Sequence, residues 1–351
     1  MTESDVKIIS TAKDEDCGIE TYTSSLESTL DLKTERLGVP LRSRNPLDYI
    51  RRGIDIFRDD SETIHLQHEY GIYGPKSIWS WPFLLMIWAK RKIDDVTVIT
   101  TFHSAWSDDT VNPPLESLKR IYVNANNQLL AAVTDEGLFL SEETLEEFRK
   151  TADMNARVIP HGVQTDVRHM DQAEAKQHFG VEPDETLVVG PGYVRPQKGF
   201  EDVVDMAHES DKYTFMIGGG VQDESHQSYA DDIRRQMPAD MQITGVLGEE
   251  DFHKLFSAMD VAVLPYDVVT QSGIINWCVA YDVPVVTSDL DRFKDLESEY
   301  GFPLTYPKGD IQAGLAALDV ALERDFTDEI ESYRGEHSMR RVAEIHQNLY
   351  S

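Results

Sequence analysis

Two cations three positions apart are the residues best placed to do chemistry. In Leu187-Val188-Val189-Gly190-Pro191-Gly192-Tyr193-Val194-Arg195-Pro196-Gln197-Lys198-Gly199-Phe200, an apolar β-branched run ends in a glycine turn, Arg195 and Lys198 follow, and Gly199 opens an amphipathic stretch. The pattern reads strand, turn, helix. It delivers a guanidinium and an ammonium to the rim of a sheet beside a helix start, where free backbone N–H groups and the helix dipole also favour anions. Holding a diphosphate is the chemistry this suits. A dinucleotide fingerprint is not completed, because Arg195 stands where the glycine after Gly190 and Gly192 would be required.

A second segment repeats the logic. Pro265-Tyr266 closes an apolar run, and Gln271-Ser272-Gly273 leads into Ile274-Ile275-Asn276-Trp277-Cys278-Val279-Ala280, with Pro284-Val285-Val286 beyond. A helix starting at Ser272-Gly273 again offers unpaired N–H groups to phosphate. One diphosphate ligand explains both helix starts together.

Other constellations carry less. Asp289-Leu290-Asp291 has the form of a metal-binding DxD, but it simply follows an apolar strand. His65 and His68 lie on one strand and project from opposite faces, and no HExxH helix accompanies them or Glu69. Gly218-Gly219-Gly220 lacks the Gly-Lys-Ser/Thr of a P-loop and reads as a flexible strand-end turn. Ser272 has no His and Asp in a triad pattern. His103 follows a strand directly, which is what gives it a functional reading.

The elements that must position these groups are short. Candidate strands are Val6–Ser10, Thr63–Gln67, Val96–Phe102, Leu129–Thr134, Arg157–Pro160, Thr186–Gly190, Tyr213–Ile217, Met241–Thr244, Asp260–Pro265 and Pro284–Ser288, with helical stretches such as Gly199–Ser210 and Glu249–Met259 between them. Strands alternating with helices imply α/β, doubly wound parallel sheets, which bind ligands beyond the strands' carboxyl ends. A break near 165–185, where a polar stretch contains Gly180 and Pro183, divides the chain into 1–165 and a second domain from 166, expected to face each other across a cleft.

The 351 residues include 33 Lys+Arg against 63 Asp+Glu, a net charge of −30, and only 14 of the cations are Lys. That excludes a nucleic-acid grip as the main function. Evenly spread acidity with little Lys is a halophile-like composition, suited to solubility in concentrated salt. Cys17 and Cys278 have no ligand-like spacing, which fits a reducing cytoplasm. No signal peptide and no membrane span are expected. The apolar segment Ile78–Ile93, ending in Lys90-Arg91-Lys92, reads mainly as a helix packed in the α/β domain with cations at its C-terminal dipole. Its second reading is a peripheral contact with the cytoplasmic membrane face.

Several motifs in order resemble the GT-B glycosyltransferases of the retaining family 4 type, the glycosyl transferases group 1. They are Gly18-Ile19-Glu20-Thr21-Tyr22, Gln67-His68-Glu69-Tyr70-Gly71, Thr101-Phe102-His103, Val158-Ile159-Pro160-His161-Gly162-Val163, the Arg195/Lys198/Gly199 segment, and the ending Ser338 to Tyr350. The resemblance implies two facing Rossmann-like domains: an acceptor-side domain 1–165, a nucleotide-sugar donor domain 166–335, and a helix within 336–351 crossing back to the first. It implies a donor site at Arg195, Lys198, Gly199, Gln271, Ser272 and Gly273, approached by the loop at Gly18, with His103 as catalytic residue on the sugar side. The partners implied are a nucleotide-sugar and a glycan, lipid-linked or small-molecule acceptor, with no metal and no other cofactor.

The departures are specific. Family members commonly carry two glutamates eight positions apart; aligned on Pro284-Val285-Val286 those positions hold Val269 and Trp277. Cys17 stands where a second glycine is usual. A non-catalytic GT-B partner or regulatory protein is therefore the rival reading, and a nucleotide-sugar epimerase a third. The acidity gives one expectation of its own: concentrated salt screens the carboxylates' repulsion of a diphosphate, so donor affinity should hold or rise with salt in calorimetric titration. A steep loss would contradict it.

Overall fold

The computed structural model describes residues 6–350 apart from 14, 16, 42, 75, 76, 112, 113, 165, 166, 223, 270 and 271. It divides the chain into two compact units, 1–162 joined by 339–351, and 163–338. The chain passes between them at Gly162/Val163 and Ser338/Met339, where Val163 donates its N–H to the His337 carbonyl at 2.6 Å.

The first unit holds β1 (Val6–Thr11), β2 (Thr34–Val39), β3 (Thr63–His68), β4 (Thr97–Phe102), β5 (Glu136–Phe139) and β6 (Ala156–Val158). They form one parallel sheet in the order β2-β1-β3-β4-β5-β6. Its helices are α1 (Gly18–Thr29), α2 (Pro46–Phe57), α3 (Ser80–Asp94), α4 (Glu116–Val133) and α5 (Glu142–Arg149), with α14 (Met339–Tyr350) returning from the chain's end. Both sheet faces are covered, so strand residues alternate between two cores: Ile9 joins one with Phe83, Ile87, Phe102 and Phe139, while Val6 and Ile8 join the other with Tyr22, Leu26, Met339 and Val342. This is why the strands read as near-continuous apolar runs. Met339, Val342, Ala343, His346 and Tyr350 recur at helical spacing and bury one face of α14 beside α1.

The second unit carries β7 (Leu187–Pro191), β8 (Thr214–Gly218), β9 (Gln242–Ile243), β10 (Val261–Leu264), β11 (Val285–Ser288) and β12 (Leu304–Tyr306), again all parallel, in the order β12-β11-β10-β7-β8-β9. Around them lie α6 (Gln172–His178), α7 (Glu201–Glu209), α8 (Gln227–Gln236), α9 (Glu249–Ala258), α10 (Gly273–Ala280), α11 (Asp291–Tyr300), α12 (Ile311–Glu323) and α13 (Thr327–His337). The order reverses at β7 and β10, where successive crossovers leave in opposite directions. A ligand site belongs beyond the carboxyl ends of those two strands.

One expected strand is wrong. Leu129–Thr134 is the end of α4, and the strand follows at Glu136–Phe139. A short apolar run does not by itself distinguish helix from strand. Here Asn126, Asn127, Leu130 and Val133 are buried at helical spacing, and Ala131-Ala132 favours the helix. β2 and β12 were not anticipated. In β2 the polarity that hides the strand is structural: Arg36 forks onto Glu27 at 2.9 Å through Nε and NH2 and reaches Glu20 at 3.1 Å. The Ile78–Ile93 segment is α3, whose buried face presents Phe83, Leu84, Ile87 and Lys90. Lys90 and Arg91 are not free cations, because they pair with Asp94 and Asp135.

Candidate functional site

β7 delivers the first cation segment to the sheet's rim, and its end is fixed backbone to backbone. Gly192, at φ +126°, donates its N–H to the Gly218 carbonyl at 3.0 Å, and Val194 donates to Gly220 at 2.8 Å. A β-carbon on Gly219 would sit 1.9 Å from the Gly192 carbonyl oxygen. The glycine run 218–220 is therefore a packed buttress of the loop rather than the flexible turn its composition suggests.

Beyond this turn, Pro196–Lys198 form one 3-10 turn that ends at Gly199, held at φ +58°. A β-carbon there would approach the Pro265 carbonyl oxygen to 2.1 Å, so only glycine fits. Gly199 therefore ends the turn, and α7 starts two residues later than the sequence indicated. Gly199 is gripped from behind: Lys308 Nζ reaches its carbonyl at 3.4 Å and Asp202 Oδ1 at 2.9 Å. The other Asp202 oxygen accepts the Tyr306 hydroxyl at 2.7 Å and the Gly309 N–H at 3.1 Å.

Lys198 lies with its Nζ 3.6 Å from the centre of the Tyr266 ring, a cation–π contact. Burial, reinforced by the neighbouring Arg195 charge, pulls the Lys198 ammonium down to about 7. Among the described residues, ten of the thirteen cations in 163–338 pair with a carboxylate. Arg195 and Lys198 do not. In a unit with 35 Asp+Glu, two adjacent cations without carboxylate partners are positioned for something else.

The second segment meets the first. A β-carbon on Gly192 would touch both Lys198 Cε at 3.7 Å and Ile274 Cγ1 at 4.0 Å, so the loop abuts the start of α10. Ser272 caps that helix, its Oγ accepting the Ile275 N–H at 3.4 Å. Ser272 and Arg195 also neighbour the Tyr266 hydroxyl. Arg195, Lys198, Gly199, Ser272 and Gly273 thus gather around Tyr266, while Gln271 lies outside the described residues. Val269 packs against the apolar core, and Trp277 meets Phe252 edge-on at 5.0 Å and His253 at 5.7 Å. No carboxylate occupies either position.

In the first unit, His103 follows β4 and sits 5.1 Å, edge to face, from Tyr22 of α1, the helix that Gly18 opens. Cys17 explains its own presence there: its Sγ accepts the Glu20 N–H and contacts the Thr11 hydroxyl at 3.2 Å, capping α1. Burial, with His161 and His68 nearby, lowers His103 to about 3, so the ring is neutral at physiological pH. Its Nε2 lies 2.8 Å from the Gln67 Oε1, an acceptor, which places the ring proton on Nε2 and leaves Nδ1 with its lone pair. Gln67 in turn approaches His65 Nε2 at 3.3 Å, and His65 is bonded to Thr101 at 2.8 Å and to the Tyr350 hydroxyl at 2.5 Å. A polar chain therefore runs from α14 to His103.

In the sequence Gln67 and Tyr266 stand within the motifs without a role of their own, and Asp202 and Lys308 carry no local signal. Lys308 follows β12, so recognising that strand would have exposed it as a strand-end cation. The Asp289-Leu290-Asp291 carboxylates are used internally, Asp289 accepting the Lys308 N–H at 3.0 Å and Asp291 pairing with Lys294 at 2.9 Å.

Residues 184–324 match the family model of the Glycosyl transferases group 1. Alpha-galactosylglucosyldiacylglycerol synthase of Streptococcus pneumoniae (strain ATCC BAA-255 / R6) is 22% identical over 179 residues, which are 49% of this chain and 47% of that protein. The alignment thus spans under half of that relative's length. Sucrose-phosphate synthase (tll1590) from Thermosynechococcus elongatus shares the fold at a TM-score of 0.76 and 14% identity, covering 99% of this chain and 98% of the other. Anabaena Alr3699/HepE, in a complex with UDP and glucose, does so at 0.74 and 12% identity, covering 99% of both chains. Residues 184–324 are a Glycosyl transferases group 1 domain, and the two six-stranded parallel sheets with flanking helices are those of the GT-B glycosyltransferase fold.

Proposed function

We propose that the protein is a glycosyltransferase that takes a sugar from a nucleoside-diphosphate donor, held by 166–335, to an acceptor on the side of 1–165, with retention and without metal or other cofactor. The observation that carries this is the pair Arg195 and Lys198, left without carboxylates beside the capped start of α10. As the bond between the sugar's anomeric carbon and the diphosphate oxygen breaks, negative charge grows on the leaving oxygen. The two cations and the helix N–H groups meet that charge where it develops. The leaving phosphate takes the acceptor hydroxyl's proton on the same face, which preserves the anomeric configuration. Neutral His103, its Nδ1 lone pair free to accept, suits a sugar hydroxyl better than a phosphate.

With Val269 and Trp277 in place of carboxylates, the nucleotide ribose lacks a charge-assisted bond of roughly 1.5–3 kcal/mol. The donor is accordingly held mainly through its phosphates. The acceptor class we favour is lipid-linked, because the Streptococcus relative is named for a glycolipid product. That acceptor calls for peripheral contact with the cytoplasmic membrane face.

A panel of nucleotide-sugars offered with lipid and soluble acceptors in concentrated potassium chloride, read by mass spectrometry, tests the reading. Transfer that is lost in His103→Ala supports it. Nucleotide binding without turnover of any donor would instead favour the non-catalytic rival, to which Val269 and Trp277 point.

A further inference from the structure

We propose that Gln67 and Tyr350 are positioning residues of the sugar-transfer site: acting through His65, they set the direction of a buried hydrogen-bond chain and so hold the His103 ring with its proton on Nε2 and its Nδ1 as an acceptor. The proposal rests on the glycosyltransferase reading for its purpose, though not for its evidence.

All members of the chain belong to the first unit. His65 and Gln67 are fully buried and stand two residues apart on β3, so their side chains share one face of the sheet. Thr101 of β4 is paired in register with Gln67 and lies on that face too. There α14 lays His346 and Tyr350 against His65, with ring centres 5.0 and 5.7 Å away. Burial holds both histidines neutral, so each ring has one donor and one acceptor. His346 donates from Nδ1 to the Val342 carbonyl at 2.7 Å, and among the described residues its Nε2 has no partner. His65 alone therefore continues the chain from Tyr350 to Gln67. Gln67 and Tyr350 are themselves buried, so what they do to a substrate they do through His103.

A row of groups with one donor and one acceptor each can be polarised in only two senses. As the Gln67 amide stands, its Oε1 faces His103 Nε2 at 2.8 Å and its NH2 faces His65 Nε2 at 3.3 Å. An amide NH2 only donates, so His65 Nε2 carries the lone pair and accepts from the Thr101 hydroxyl as well, at 2.8 Å. The His65 proton then sits on Nδ1, donated to the Tyr350 hydroxyl oxygen at 2.5 Å. At the other end His103 must donate from Nε2. Reversing one member reverses them all. A proton on His65 Nε2 would draw the amide carbonyl toward it, present the NH2 to His103 and move the His103 proton to Nδ1. The ring would then offer a donor at the position where the proposed reaction needs an acceptor for a sugar hydroxyl.

The test is nitrogen NMR of the imidazole rings in the full chain, labelled on histidine with the heavy nitrogen isotope and with no donor present; the His103 signals are those lost in His103→Gln. We expect the wild-type ring to be protonated on Nε2. Gln67→Leu should remove that preference and populate the Nδ1–H form, and Tyr350→Phe, which leaves the Gln67 side chain intact, should populate the same form. Where sugar transfer is measured, Gln67→Leu should lower kcat/KM by about tenfold to a hundredfold, and Tyr350→Phe by less. Gln67→Glu separates the proton's position from packing. The titratable groups facing His103 are Tyr22 of α1, His65 and His68 of β3, and His161 beyond β6; burial keeps Tyr22, His65 and His68 uncharged at neutral pH. Above the apparent pKa of the new carboxylate–imidazole pair, the carboxylate accepts from Nε2 and transfer survives. Below it the added proton makes either an imidazolium or a carboxylic acid donating to Nε2, and both put a proton on Nδ1. Gln67→Glu should therefore lose activity on acidification, along an acid limb that the wild type, with His103 at about 3, lacks. A wild-type ring protonated on Nδ1, or His103 signals unchanged in folded Gln67→Leu or Tyr350→Phe, overturns the proposal; so does a Gln67→Glu profile that superimposes on the wild type. If no donor turns over, the nitrogen spectra still decide it, so the two readings fail separately.

Discussion

Replacing Arg195 and Lys198 together by alanine is expected to weaken binding of uridine or guanosine diphosphate by roughly two to four orders of magnitude in calorimetric titration. Each cation offers a charge-assisted hydrogen bond worth about 1.5–3 kcal/mol, and every 1.4 kcal/mol is tenfold. The wild-type affinity should also depend on pH in a direction set by Lys198. Its ammonium, held at about 7 by burial and the Arg195 charge, loses its proton above neutrality in the free protein. A bound diphosphate favours the charged form, so binding takes up a proton and the affinity falls as pH rises from about 7, by at most about tenfold per unit. Titrations in buffers of different ionisation enthalpy would read that uptake directly. Affinity that is flat between neutral and alkaline pH, or unchanged in the double variant, would remove the phosphate assignment.

Stability moves oppositely. The folded pKa lies below the ordinary lysine value of 10.5, so between about 7 and 10.5 the unfolded chain holds a proton that the folded one lacks. Stability therefore rises with pH across that window, and below it the buried charge is a cost. Lys198→Met should abolish tight binding while leaving the thermal midpoint at neutral pH unchanged or raised. That outcome separates a group retained for ligand binding from one retained for folding.

Asp202→Ala is expected to destabilise the second unit by about 3–5 kcal/mol, the cost of breaking a buried ion pair from one side. Asp202 is 5% exposed and serves the Lys308 ammonium, the Tyr306 hydroxyl and the Gly309 N–H at once. Without it the buried Tyr306 hydroxyl and the Gly309 N–H lose their acceptor, and among the described residues Lys308 keeps only Asp267 at 3.6 Å as a carboxylate partner. For a unit of this size the thermal midpoint should drop by about 2–4 °C per kcal/mol. Asp202→Asn keeps an acceptor and should cost less. A loss below about 1 kcal/mol in denaturant unfolding would show that the network is not what fixes Gly199 and, through it, the Lys198 turn.

Much of this was readable from the chain because the signals are local. The run ending at Gly190-Pro191-Gly192, with Arg195 and Lys198 after it, announces a strand end and its cations whatever surrounds it. Ser272-Gly273 announces a helix start for the same reason. The alternation of strand and helix fixed the class, because covering both faces of a parallel sheet requires apolar strands separated by helices. Errors came where a local signal was ambiguous or cancelled. Leu129–Thr134 is apolar enough for a strand but continues the α4 period, and β2 hides behind Arg36 and Glu35, polar residues of an edge strand whose partners are Glu27 on α1 and Lys7 on the adjacent strand β1.

By itself, then, the sequence determined which residue types stand at each strand end and the pattern of elements behind them. Only the tertiary structure decided which charges are neutralised and which glycines are irreplaceable. Lys308 and Asp202, 106 positions apart, cancel each other, whereas Lys198 meets an aromatic face and no carboxylate. Gly219 is required because another segment's carbonyl passes within the space of a methyl group. Periodicity and turn chemistry act over a few residues and can be read in order. Ion pairing and backbone approach act through space, between segments that only the folded sheet order brings together.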